Sequence, residues 1–138
     1  MIKTLLLCGI AVALAGCATK KYMMSRPLDA GVKGVYKAPF DKVRRAAQDA
    51  LAERGFHFDR DKDEKWLETD HAHMINSSKG LSAGTTGQYA RIVINKSESE
   101  QTVFVLVESK AATRDAGSAD EDVAKGVHAA IEKRVTGK

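Results

Sequence analysis

The chain has 138 residues, 43% of them hydrophobic, with 22 Lys plus Arg against 18 Asp plus Glu. That length reads as one domain, and a formal net charge of +4 is too mild for a nucleic-acid partner, whose binding depends on neutralising many phosphates. Its two cysteines, Cys8 and Cys17, both lie near the start, so thiol catalysis, a disulfide framework and a cysteine metal site are excluded from the rest of the chain.

Met1 to Thr4 carry one charge, Lys3, and Leu5 to Ala15 follow as an apolar run. The run is shorter than the about 20 residues that span a bilayer as a helix. It has the length of the apolar region of a secretory signal, roughly 7 to 15 residues. Its end, Leu14-Ala15-Gly16-Cys17, resembles the lipobox of bacterial lipoprotein precursors. The resemblance implies cleavage before Cys17, a diacylglyceryl group on its thiol, and acylation of the new amino terminus, with palmitate among the expected chains. Ala18 stands where inner-membrane retention signals commonly place Asp, which implies the periplasmic face of the outer membrane. Residues 1–16 are therefore expected to be a signal peptide, 17–31 the lipidated cysteine and a tether, and 32–138 a single domain.

Loss of residues 1–16 removes Lys3 and leaves 21 basic against 18 acidic side chains. Ala18 to about Gly31 has no sustained period and contains Pro27, as a tether would. At about 3.3 Å per residue it reaches at most roughly 45 Å. Lys20, Lys21 and Arg26 in it either gain about 1 kcal/mol each beside an anionic membrane or simply keep the linker soluble.

VKGVYKAP, from Val32, reads as a short strand. Pro39 suits a first helical position and Asp41 the negative charge favoured in a first turn. Phe40, Val43, Ala47, Ala50 and Leu51 then form the stripe of an amphipathic helix that ends at Gly55. Phe56 and Phe58 alternate with polar neighbours as a short strand, followed by the polar turn DRDKDE and a strand from Trp66 to Ile75. YARIVIN and TVFVLVES, from Tyr89 and Thr102, hold the β-branched residues suited to pleated surfaces, and KSESEQ between them is a hairpin turn. Ser118 and Glu121 match a capping box, and Val123, Val127, Ile131 and Val135 mark the closing helix. The expected class is α+β: a curved antiparallel sheet of about five strands with two helices on one face, in the order β-α-β-β-β-β-α.

APFDKVRRAAQDALAERGF as the first helix, WLET entering the hairpin and the helix after Ser118 together resemble the helix-grip domains of BamC-like lipoproteins of the outer-membrane protein assembly machinery. The resemblance spans residues 32 to 136 and implies fold and compartment.

Candidate sites each have a plainer reading. His71 and His73 are two apart, and with His57 they are the nearest approach to a metal site, although three or four ligands must converge for strong binding. DRDKDE sets Asp59, Asp61 and Asp63 at calcium-loop spacing, but Glu64 stands where the sharp turn needs glycine. The glycine-rich loop with Gly80, Gly84 and Gly87 lies between two strands, unlike a phosphate cradle, and is either mobile or a lid. No cofactor, metal or catalytic motif is expected. Val103, Val105 and Val107 oppose Phe104 and Leu106, so the last strands are apolar on both faces. Either the sheet curls around the closing helix, or the second face is a contact surface, for which Trp66, Val93, Phe104 and Leu106 are the candidates.

The sequence thus points to a non-enzymatic lipoprotein, anchored through Cys17, that binds or scaffolds an envelope protein or pairs with a second copy. The alternative is a carrier or sensor of a small hydrophobic ligand held between the closing helix and the sheet.

Overall fold

In the computed structural model, which describes residues 26–58, 67, 69–79, 87–110 and 118–137, apolar alternation builds the middle of one antiparallel sheet. The elements are β1 (Val32–Tyr36), α1 (Phe40–Glu53), β2 (Ala72–Lys79), β3 (Gly87–Asn95), β4 (Gln101–Lys110), β5 (Ser118–Ala119) and α2 (Glu121–Thr136). Four long strands lie in the order β1-β4-β3-β2, and the two-residue β5 pairs with β4.

Strict alternation turns Tyr36, Ile75, Ala90, Ile92, Ile94, Val103, Val105 and Val107 to one side, and all are buried. The rows are continuous across strands: Ile75 pairs with Ile92, Ile92 with Val105, and Val105 with Val32. Both helices cover this side. Val43, Ala47, Ala50 and Leu51 of α1 and Ala124, Val127 and Ile131 of α2 complete one core cluster with the strands. On α2 the spacing of four drifts about 40° per step from the 3.6-residue turn. Val123 and Val135, at the ends of that stripe, are accordingly only partly buried.

Helix ends follow local chemistry. Pro39 caps α1 with extended backbone, ψ 153°, so it stands just outside the helix instead of opening it. At the other end Gly55 N–H donates to Ala52 O and Phe56 N–H to Leu51 O, each at 3.0 Å, the paired bonds of a Schellman motif. The capping box expected at Ser118 does not form, because Ser118 is drawn into β5. Asp120 caps α2 instead, its carboxylate accepting from Val123 N–H at 3.1 Å.

Two further expectations are corrected. The strand at Phe56 to Phe58 is only a bridge between His57 and Ser78, which lowers the number of long strands from five to four. The strand expected over Trp66 to Ile75 begins at Ala72 and continues through Asn76, Ser77 and Ser78. Those polar residues stay in the ladder because they are satisfied there, Ser77 Oγ donating to Ala90 O at 3.0 Å. The hairpin turn is as expected but is braced by Gln101, wholly buried, whose amide donates to Ala38 O at 3.2 Å and Ser97 O at 2.7 Å. The expected signal peptide, Cys17, Trp66, Gly80 and Gly84 lie outside the described residues.

Candidate functional site

The sheet side facing away from the helices carries a cluster of buried polar side chains, Asn76, Arg91 and Glu108. By register, Phe104, Val93 and Met74 form one row there, and Leu106, Arg91 and Asn76 the next. Glu108 and Tyr89 pair beyond them. Val93 and Leu106 are buried and Phe104 is half-buried, so the candidate surface is collected on one face as its parity implies, but at two of its positions it is closed.

Part of that closure comes from the chain itself. Arg91, fully buried, donates from Nη1 to Arg26 O at 3.0 Å and from Nη2 to Pro27 O at 2.6 Å. Arg26 Nη1 lies 3.3 Å from Glu108 Oε1. Ala30 N–H returns to Pro27 O at 3.0 Å, closing a turn over the sheet. Gly31 then drops onto β4 with φ at +105°, where a β-carbon would collide with the Val105 carbonyl and stand 2.9 Å from the Leu106 α-carbon. Residues 26–31, read from sequence as the end of a free tether, are thus a strap fastened to the sheet.

Two guanidiniums, Arg26 and Arg91, surround one carboxylate, Glu108, beneath the strap. Burial pushes the Glu108 carboxyl up, with Arg26 and Arg91 opposing. Burial also pulls the Arg91 guanidinium down, with Glu108 opposing. Removing Glu108 from such a set leaves the buried Arg91 charge uncompensated, typically at about 3 to 5 kcal/mol. A guanidinium that spends two donors on backbone carbonyls of one short segment holds that segment in a set direction. Arg91 was legible as a lone charge inside RIVI; its partners, 64 and 65 residues away, were not.

A second polar cluster joins the layers. The Tyr36 hydroxyl is hydrogen-bonded to His128 Nδ1, and His128 Nε2 meets Val32 O at 2.6 Å. Burial raises the Tyr36 hydroxyl far above its usual range, with Glu132 adding to the effect. Burial likewise lowers the His128 imidazole.

The other sequence candidates are dispersed. His57 exchanges backbone bonds with Ser78, at 2.8 and 3.0 Å. His71 is exposed in the turn ahead of β2, whereas His73 is buried within β2 with its ring edge on Phe40 at 5.5 Å. Among the described residues no group of three or more His, Cys, Asp or Glu is placed to hold a metal ion. Gly87 opens β3, paired with Lys110. The groove expected between α2 and the sheet is filled by Ala124, Val127 and Ile131, each at most 2% exposed. A cleft lies on the outer side between the helices, about 910 Å³ and lined by Asp41, Lys42, Arg45, Asp49, Glu53, Lys133 and Arg134 among others. Arg134 pairs with Glu53 and approaches Asp49 to 4.0 Å, and its hydrogen bond holds the Glu53 carboxyl below the usual carboxylate range.

No family model, curated protein or solved structure matches the chain. Among the described residues no helix is long and apolar enough to cross a membrane.

Proposed function

We propose that this chain is a lipoprotein held through Cys17 at the periplasmic face of the outer membrane, where its α+β domain acts as a non-enzymatic module that binds or scaffolds an envelope protein. The lipobox Leu14-Ala15-Gly16-Cys17 supports the anchor. The observation that carries the scaffolding role is the clamp of Arg91 on the carbonyls of Arg26 and Pro27. Fastening Arg26 and Pro27 to the sheet shortens the connection to the residues between Cys17 and Arg26, and a shorter connection raises the effective concentration of the domain beside a partner held in the same membrane.

Cys17→Ser is expected to abolish lipid attachment and to leave precursor or mislocalised protein, because stable anchoring takes more than one acyl chain. Fractionation of that variant as mature protein with outer membranes at high salt would refute the anchor. For the partner, a photo-crosslinking residue at Lys42, exposed on α1, should yield one discrete adduct in cells. A smear no different from that of an irrelevant periplasmic protein would refute the scaffold.

A further inference from the structure

Two large hydrophobic side chains are exposed among the described residues, Leu28 at 44% and Val35 at 49%. Leu28 sits in the turn between Pro27 and Ala30, on the strap that Arg91 clamps. Val35 lies opposite Thr102 in β1, on the sheet face turned away from the helices. Lys33, two residues before it on the same side of the strand, is exposed. Arg26 adds a guanidinium beside Glu108, and Asp29 in the turn is the acidic neighbour of Leu28. Exposed apolar and basic groups therefore share the side from which the chain leaves the domain.

Tether length decides what meets that side, given the anchoring at Cys17 proposed above. Arg26 is nine residues from Cys17, and nine residues span at most about 30 Å. To bring the helices to the bilayer, the tether would have to round half of a sheet about 20 Å wide and then a helical layer about 10 Å deep. That takes about 20 Å, two thirds of its reach, whereas the strap face, from which the chain leaves at Arg26, needs none of it. A strap fixed to the second face and a tether this short favour that face toward the membrane, because the other orientation stretches the tether and costs it conformational freedom.

We infer that the strap face rests on an anionic phospholipid surface, with Val35 and Leu28 at the headgroup boundary and Lys33 among the phosphates. Apolar side chains flanked by lysine suit this interface, where the aliphatic stem is buried and the ammonium stays among the headgroups. The α1–α2 cleft then faces away from the bilayer.

The test uses the mature lipidated protein, cleaved before Cys17, in vesicles of phosphatidylethanolamine with or without phosphatidylglycerol. Cys8 has left with residues 1–16 and the Cys17 thiol is consumed by lipid, so a bilayer-sensitive fluorophore can be attached uniquely to Val35→Cys, Leu28→Cys or Lys125→Cys, the last on the exposed side of α2. Quenching by brominated lipid should be several-fold stronger at positions 35 and 28 than at 125, and stronger with phosphatidylglycerol present. Lys33→Glu should remove the dependence on phosphatidylglycerol. Equal quenching at all three sites in protein that stays on the vesicles would overturn the orientation, as would protection of the position-35 probe only when a protein partner is added. Wild-type protein that washes off the vesicles would defeat the anchoring itself, and this inference with it.

Discussion

Gly34 of β1 lies directly against His128 of α2: a β-carbon at position 34 would stand 2.6 Å from the imidazole Nδ1 and 2.7 Å from Cε1. The ring cannot swing aside cheaply, because both of its nitrogens are engaged by Tyr36 and Val32. Gly34→Ala should therefore cost about 1 to 3 kcal/mol, the usual range for overpacking a fitted site. A denaturant midpoint unchanged from wild type would show that α2 tolerates a shift away from β1.

The same contact makes stability depend on pH. A carbonyl oxygen can only accept, so Nε2 carries the proton that is donated to Val32 O, and Nδ1 of the neutral ring accepts from Tyr36. Burial lowers the imidazole pKa below its ordinary 6.5. The unfolded chain therefore takes up a proton first as pH falls, and the stability held above pH about 6.5 is lost progressively below it. Glu108, whose pKa is raised, works with the opposite sign, gaining stability as the carboxylate is protonated. Subtracting the urea-unfolding profile of His128→Gln from that of wild type isolates the histidine, and the difference should shrink from pH 7.5 to 5. A constant difference would show that the ring is not held neutral.

Phe104 and Val105 are neighbours on opposite faces of β4, half-buried and fully buried respectively. Val105→Glu places an unpaired charge beneath both helices and should unfold the domain, since such burial costs several kcal/mol. Phe104→Glu can reach water and should stay folded by circular dichroism. The reverse ranking would mean that the second face is the better sealed of the two.

Asp120 carries the start of α2 and Ser118 does not. Asp120→Ala should lower stability by about 0.5 to 2 kcal/mol, whereas Ser118→Ala should be close to neutral. Thermal melts of the two variants would separate the caps.

The parts of this fold that could be read from sequence are those governed by spacing. The stripe of α1, the alternation of β3 and β4 and the polar turn between them each declare themselves within a dozen residues, because the burying surface is a face of the element itself. The end of β2 extends beyond the expected Ile75 because Asn76 to Ser78 look like loop until Ala90 is seen to accept from Ser77. At the start of α2, two capping patterns overlap, and pairing of Ser118 with β4 decides between them. Neither polar cluster could be assembled in advance. Arg91 meets Arg26, and Tyr36 meets His128, across separations of 65 and 92 residues, and no local period encodes such meetings.

The strand order carries a consequence for the sequence of events as the chain is delivered. Among the described residues β1 pairs only with β4, Val32 opposite Val105, so its partner arrives 73 residues later. Hairpins β2–β3 and β3–β4 close locally, whereas β1 must wait as an unpaired segment, and loop closure over that separation is slow. The strap is subject to the same delay, since Arg91 and Glu108 also follow it in the chain. Residues 26–31 therefore stay accessible while the chain is incomplete and are fastened only when β4 is in place.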